Sequence, residues 1–169
     1  MTTFQTLRVA VREAARDDLP TIVDIYNQAV EDGVATCDLS AFSPEERVDW
    51  FDAHHGRYRI WVADVDGEVV GWIALSPYDP KPCFVLTGSI ATYVARDARS
   101  GGVGSTLRRH LVAQAKRLGF HTLVTRIWAT NEASVALSEK FGWDRVAHLR
   151  EVVSKDGEFI DCFLYQLVL

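Results

Sequence analysis

The chain has 169 residues, of which 48% are hydrophobic and 24% charged, and its net charge is −5. This length suits one domain that buries about two-thirds of its unfolded surface, so we expect a single domain over residues 1–169. A negative charge argues against general nucleic-acid binding, and no apolar run approaches the ~20 residues of a membrane helix. We therefore expect neither nucleic acid nor a membrane as a partner.

The chain carries three widely spaced cysteines, Cys37, Cys83 and Cys162, without a C-x-x-C pair. This pattern favours reduced thiols in a cytoplasmic protein. The first residues show no basic segment followed by an apolar run, so we expect no signal peptide. The five histidines lack the spacing of metal ligands, and we expect no metal site.

Hydrophobic periodicity predicts an order of β-α-α-β-β-β-α-β-α-β-β, which is typical of a mixed α/β layer structure. Alternating or β-branched runs predict strands at 7–11, 60–64, 68–75, 83–94, 122–128, 144–153 and 159–169. Apolar stripes and caps predict helices from Asp17 or Asp18 to Gly33, from Ser43 to about His54, from 105 to 118 and from 131 to 140.

Residues 91–118 combine a strand end, a glycine-rich turn and a helix. Gly102 and Gly104 precede the helix, where glycine lets an anion approach the first free amides closely. This arrangement predicts a pyrophosphate site, while a tight turn with close packing explains the glycines equally well. A Walker loop is excluded because no lysine follows Gly104, and the turn lies too late in the chain for a dinucleotide fingerprint. The basic residues that strengthen the positive field are Arg99, Arg108 and Arg109.

The arrangement Arg99-x-x-Gly102-x-Gly104 resembles the acyl-CoA pyrophosphate loop of the GCN5-related N-acetyltransferases (GNAT). Further matching segments occur in chain order at 25–30, 44–47, 93–94, 131–134, 139–143, 149–151 and 161–166. Over nearly the whole chain, they resemble the phosphinothricin and L-amino-acid N-acetyltransferase branch. The resemblance implies a single-domain α/β GNAT fold with a mixed, mostly antiparallel sheet, helices on both faces, and a homodimer.

The resemblance also implies an acetyl-CoA-dependent N-acetyltransferase. Acetyl would pass by direct attack to the primary amine of a small molecule, such as an amino acid or an amino-acid-like compound. The implied cofactor-binding residues are Thr92, Tyr93, Val94, Arg99, Ser100, Gly101, Gly102, Val103, Gly104, Ser105, Asn131, Ser134 and Lys140. A plain helix cap is the alternative role for Asn131.

The catalytic side departs from the family pattern. Relatives carry a glutamate, the proposed general base, where this chain has Ser89, and an arginine where it has Val85. Ser138 stands where many acetyltransferases place a tyrosine that protonates the leaving thiolate. The candidate catalytic residues are thus Ser89, Tyr93 and Ser138, with packing as the alternative role of Ser89 and Tyr93. No general base is named, because an ammonium group can lose its proton to water before binding.

The candidate substrate-binding residues are Thr36, Asp38, Trp72, Phe84 and Ser89, with Trp128 as a further wall residue. Because the arginine is replaced, we expect phosphinothricin to be at best a poor substrate. Two other functions stay open: a non-catalytic acyl-CoA-binding protein, and a peptide or protein N-acetyltransferase with an open acceptor groove.

Overall fold

The computed structural model describes residues 9–169, and its elements follow the predicted order. The strands are β1 (Ala10–Glu13), β2 (Arg59–Val65), β3 (Glu68–Pro77), β4 (Thr87–Val94), β5 (Thr122–Trp128), β6 (Asp144–Lys155) and β7 (Glu158–Val168). The α-helices are α1 (Leu19–Asp32), α2 (Val48–Asp52), α3 (Val103–Arg117) and α4 (Glu132–Lys140). No helix within this range is both long and apolar enough to cross a membrane.

The seven strands form one sheet in the order β1-β2-β3-β4-β5-β7-β6. Its neighbouring strands are antiparallel except β4 and β5, which are parallel. On one face, α3 buries Leu107 and Leu111 against Ile73 and Leu75. On the other face, α1 buries Ile22 and neighbouring apolar residues against β2 and β3. The sheet therefore lies between two apolar layers, as expected for an α/β structure with helices on both faces.

Several predicted boundaries were wrong. The strand predicted from Cys83 begins at Thr87, because Pro82–Phe84 forms a 3₁₀ turn. The second helix ends at Asp52 rather than His54, and its first turn, Glu45–Arg47, is 3₁₀. The last hairpin is longer than predicted, since β6 continues to Lys155.

The predicted starts of the first strand and of the second helix can also be compared with the structure. Residues 7 and 8 of the predicted strand lie outside the described residues, and β1 begins at Ala10. The predicted capping box is present. The Ser43 amide donates to Glu46 Oε2 at 2.7 Å, and the Glu46 amide donates to Ser43 Oγ at 3.4 Å.

The parallel pair β4 and β5 separates after a short contact. Its register runs only from the Thr87–Thr122 pair to the Ser89–Val124 pair. Beyond it, the Thr125 hydroxyl donates to the Ile90 carbonyl at 3.3 Å. The remaining half of β4 therefore has no strand partner on the β5 side, and its polar backbone groups there face the space between the two strands.

Candidate active site

A cavity of about 520 Å³ adjoins the separated end of β4. The end of α1 and the segment after it form one wall, and the glycine-rich turn, α3 and α4 form the other. All but one of the predicted cofactor-binding residues line it: Thr92, Tyr93, Val94, Arg99, Ser100, Gly102, Val103, Gly104, Ser105, Asn131, Ser134 and Lys140. Gly101 lies in the same turn but is not among the lining residues. The fold thus brings together segments that are up to 48 residues apart, from Thr92 to Lys140.

The entrance of this cavity contains the amino end of α3. Gly102 caps the helix with φ of +80°, and a Cβ at Gly102 would meet no atom within 4 Å. The first helical bond runs from the Thr106 amide to the Gly102 carbonyl at 3.0 Å. The preceding amides of the first turn have no intrahelical acceptor and can bind an anion in the cavity.

Arg99 lies at the rim, as expected, but a carboxylate already holds it. Its Nη1 lies 2.6 Å from Asp32 Oδ2, and its Nε donates to the Val94 carbonyl at 3.3 Å. Arg96 also binds Asp32, with Nη2 at 2.8 Å from Oδ1. Hydrogen bonds from Arg96 and then Arg99 lower the pKa of Asp32 below its ordinary value. The sequence does not predict these contacts of Asp32, because no local pattern links the end of α1 to the glycine turn.

The amino end of α4 contributes Asn131 and Ser134. Asn131 Oδ1 accepts a hydrogen bond from the Ser134 amide at 3.2 Å, so the capping role is present. Both residues also line the cavity, and Lys140 lies near the other end of the same helix. Asn131 is therefore positioned both to start α4 and to face a ligand.

Ser138 and Arg108 form a buried polar contact between α4 and α3. Ser138 is fully buried; its hydroxyl donates to the Ser134 carbonyl at 3.0 Å and accepts from Arg108 Nη1 at 2.8 Å. Ser138 is not a cavity-lining residue, so the structure does not bring this catalytic candidate to the cavity surface. Arg108 does line the cavity, although only 3% of it is exposed. Burial lowers the pKa of Arg108 to about 10.

The cavity also contains buried polar atoms that fit a polar ligand. Thr92 Oγ1 and Arg108 Nε have no hydrogen-bond partner among residues 9–169. Buried polar groups are almost always paired in native proteins, so these two atoms are available to a bound ligand. Together with the free amides of α3, they fit a ligand that has an anionic group and an elongated polar arm.

Tyr93 joins the cavity to the apolar layer under α1. Its ring packs edge-on against Tyr26, with centroids 4.9 Å apart, and its hydroxyl donates to the Ala35 carbonyl at 3.4 Å. Burial raises the pKa of Tyr93 far above its ordinary value, so the phenol is neutral. By strand alternation Ser89 lies on the same face, and it is half-buried. Tyr93 therefore both packs in the apolar layer and lines the cavity, and its catalytic role stays a prediction.

Thr36 and Asp38 lie in the loop after α1 and share one partner. The Tyr26 hydroxyl donates to Asp38 Oδ2 and lies 2.5 Å from Thr36 Oγ1. Arg47 approaches Asp38 Oδ2 at 3.6 Å and stacks over the Tyr26 ring at 4.8 Å. This network, Tyr26, Thr36, Asp38 and Arg47, holds the loop that borders the cavity. Sequence reasoning found the two loop residues and missed the tyrosine and arginine that hold them.

The predicted aromatic wall residues do not line this cavity. Trp72 is 3% exposed, packs in the layer under α1, and donates from Nε1 to the Ile22 carbonyl at 3.0 Å. Phe84 lies on the 3₁₀ turn, 36% exposed, against Tyr78. Trp128 borders a second cavity of about 210 Å³, which the loop after α1 and the end of β6 also line. Trp72 is structural because its strand turns it toward α1.

Among the described residues, no group of three or more His, Cys, Asp or Glu side chains could hold a metal ion.

Comparisons with known proteins identify the family. The Acetyltransferase (GNAT) family profile matches residues 19–143. Phosphinothricin N-acetyltransferase of Streptomyces coelicolor is 35% identical over 165 residues, which are 95% of this chain and 96% of the relative. L-methionine sulfoximine/L-methionine sulfone acetyltransferase of Pseudomonas paraeruginosa is 33% identical over 96% of each chain.

A solved structure of a phosphinothricin acetyltransferase from Sinorhizobium meliloti, in complex with AcCoA, superposes with a TM-score of 0.91. It is 28% identical, and the match covers 95% of this chain and 88% of that one. The residues that line the cavity, between 29 and 140, lie within the matched family region. The chain belongs to the Acetyltransferase (GNAT) family and is an N-acetyltransferase.

Proposed function

We propose that this enzyme transfers acetyl from acetyl-CoA to the amine of an amino acid or an amino-acid-like compound. The observation that carries the proposal is the single cavity that joins the free amides of α3 to the separated end of β4. The relatives named for phosphinothricin and for methionine sulfoximine support an amino-acid-like acceptor. This acceptor class is narrower than small amines in general, and the experiment below tests it.

Acetyl-CoA, when bound, supplies an activated acetyl thioester. The amides from Gly101 to Ser105 would bind its pyrophosphate, because they stand at the positive end of α3. Arg99 would add charge at the rim. Backbone groups of 92–94 would bind the pantetheine arm, since β5 leaves that side of β4 unpaired. Asn131 would support the same arm, with Ser134 and Lys140 nearer the nucleotide.

On the acceptor side, the loop that Tyr26 holds would form one wall. Thr36 and Asp38 are proposed to orient the acceptor, since the Asp38 carboxylate is partly exposed and can attract an ammonium group. Ser89 would hold a water molecule that receives the proton from the amine. Tyr93 remains the candidate to touch the reacting groups, because its neutral hydroxyl lies beside the loop. Ser138 would act through Arg108, which it contacts.

We also propose a homodimer. The support is a set of exposed apolar side chains on the last hairpin: Val146, Leu149, Val152, Phe159 and Val168. β6 forms the edge of the sheet, where unpaired strand groups and apolar side chains favour association. A cytoplasmic location is proposed as well, because all three cysteines are free thiols and two of them, Cys37 and Cys83, are exposed.

The experiment that tests the acceptor class follows free CoA thiol release from acetyl-CoA against amino acids, amino-acid analogues, polyamines and short peptides. We expect release that depends on an amino acid or analogue and that gives the N-acetylated product by mass spectrometry. Release with peptides alone would identify a peptide N-acetyltransferase instead. Acetyl-CoA binding without turnover across the panel would identify a non-catalytic binding protein.

A further inference from the structure

Arg108 is a buried cation, and among residues 9–169 its only hydrogen bond goes to a neutral group. Its Nη1 donates to Ser138 Oγ at 2.8 Å, and its guanidinium carbon lies 5.1 Å from the centre of the Trp143 ring. No carboxylate lies within 4.0 Å of it among the described residues, whereas Arg96 and Arg99 both pair with Asp32. The Arg108 Nε atom is buried without a partner.

A buried unpaired charge is expensive for a folded protein, since desolvation is not repaid by a counter-charge. Burial lowers the pKa of Arg108 to about 10, yet the group remains protonated near neutral pH. Its side chain lines the cavity, so a negative group inside the cavity is the available counter-charge. Without a ligand, the protein therefore holds a buried cation for which the described residues supply no counter-charge.

The position of Arg108 along α3 separates it from the anion site at the helix end. It follows Gly104 by four residues and so lies on the same face of the helix, one turn farther from the free amides. A Cβ at Gly104 would contact Leu137 and Val94, which marks that face as the one toward α4 and β4. The free amides at the amino end of α3 are placed to bind the anionic group of the ligand. Arg108 is therefore a second polar position on the cavity wall, one helical turn beyond the free amides.

We propose that Arg108 is a catalytic residue that stabilises the thiolate leaving from acetyl-CoA. This inference rests on the proposed acetyl transfer. The acceptor nitrogen forms its bond to the acetyl carbon, the carbon–sulfur bond breaks, and the electron pair stays on sulfur. The proton lost by the nitrogen reaches the sulfur through water. Arg108 keeps its own proton throughout and stabilises a charge that is larger in the transition state than in the bound thioester.

The test measures the pKa of the CoA thiol itself, without turnover. CoA bound to saturating protein is titrated from pH 6 to 9.5 by thiolate ultraviolet absorbance, beside free CoA in the same buffer. In the unmodified protein we expect the thiol pKa to fall by about one unit, a tenfold shift in the thiolate fraction. In Arg108→Met the shift should vanish, and in Arg108→Lys part of it should remain.

Binding measurements with desulfo-CoA, which lacks the sulfur, show where Arg108 acts. Arg108→Met should weaken CoA about tenfold above the thiol pKa while leaving desulfo-CoA and acetyl-CoA within twofold. Arg117→Met is the matched control, since Arg117 is an exposed arginine at the far end of the same helix. A thermal melt confirms that each variant is folded.

Two results would overturn the proposal. An equal loss of CoA and desulfo-CoA affinity would place Arg108 at the pyrophosphate, and an unchanged thiol pKa in folded Arg108→Met would remove the thiolate contact. If the unmodified protein binds neither CoA nor acetyl-CoA, the proposed acetyl transfer itself fails, which is a different outcome from either of these.

Discussion

Asp32 holds two arginines at the rim of the cavity, one of which is needed for the proposed pyrophosphate site. Arg99 and Arg96 both donate to its carboxylate. A ligand phosphate must therefore share Arg99 with Asp32 or displace it. Asp32 therefore competes with the ligand phosphate for the Arg99 guanidinium, and this competition lowers the affinity for the ligand.

Replacing Asp32 by asparagine should tighten acetyl-CoA binding about two- to fivefold at low ionic strength, because Arg99 is then free. The gain should shrink with added salt, which screens exposed charges. Calorimetric titration at two salt concentrations measures both effects. Glu31→Gln is the matched control, because Glu31 contacts Arg96, with 3.2 Å between Oε2 and Nη2. Weaker binding by Asp32→Asn would show that Asp32 positions Arg99 rather than competing for it.

The ion pairs of Asp32 with Arg96 and Arg99 should make the stability of the fold depend on pH. The pKa of Asp32 is lowered by Arg96 and Arg99, so its ion pairs stabilise the fold above the ordinary aspartate pKa of about 4. This contribution is lost as pH falls through the lowered folded-state pKa. Urea unfolding should therefore show a difference between the unmodified protein and Asp32→Asn at pH 7 that disappears in acid.

Tyr26 is the residue on which the acceptor loop depends. Its hydroxyl bonds both Thr36 and Asp38. Tyr26→Phe removes these bonds at about 1 kcal/mol each and should raise the acceptor KM about five- to tenfold, with acetyl-CoA affinity unchanged. Steady-state kinetics with either substrate varied separates the two effects. Tyr78→Phe on an exposed loop is the control, and an unchanged acceptor KM would exclude this loop from the acceptor site.

At the scale of the elements, the short contact between β4 and β5 creates the cavity. Gly88 lies in the paired part, and a Cβ there would be 2.5 Å from Leu75 Cδ1 and 3.1 Å from Leu123 Cδ2. Both leucines are fully buried, so neither can move away freely. A glycine at this position lets the two strands and the layer beneath them approach closely.

Gly88→Ala should lower the free energy of unfolding by about 1–3 kcal/mol, the usual cost of overpacking a dense core. Denaturant unfolding measures the change. Gly104→Ala is the control on the same cavity, because its Cβ would meet Leu137 and Val94 at ordinary distances of 3.5 and 3.8 Å, and we expect its stability to be unchanged. A neutral Gly88→Ala would show that this close approach is not needed.

The elements were predicted better than the contacts between them. Periodicity and caps are local signals, and they placed all eleven strands and helices in order. The wrong start at Cys83 arose because an apolar run follows a proline, and periodicity does not distinguish a 3₁₀ turn from a short strand extension there. The predicted cofactor residues converge on one cavity because a motif specified them. The burial and the partners of Trp72, Arg108 and Asp32 were not predicted, since they depend on tertiary contacts.

At the scale of the whole molecule, the proposed dimer depends on the last hairpin. Phe159 is 69% exposed, which is unusual for a large aromatic side chain. Phe159→Asp should convert the dimer to monomer at micromolar concentration, because it places a charge on the apolar surface. Sedimentation measures the mass. Tyr78→Asp, at an exposed position in the loop after β3, should leave the mass unchanged; a monomeric unmodified protein would contradict the dimer.

The central claim is that the cavity between the amino end of α3 and the end of β4 binds acetyl-CoA. The most direct measurement is the acetyl-CoA binding isotherm of the unmodified protein, Gly102→Trp and Gly67→Trp. Gly102 and Gly67 both have positive φ and open space at Cβ, so the substitutions are equally strained. We predict that Gly102→Trp abolishes binding while Gly67→Trp, in the β2–β3 turn, retains it. Equal binding by both variants, or none by the unmodified protein, would contradict the account.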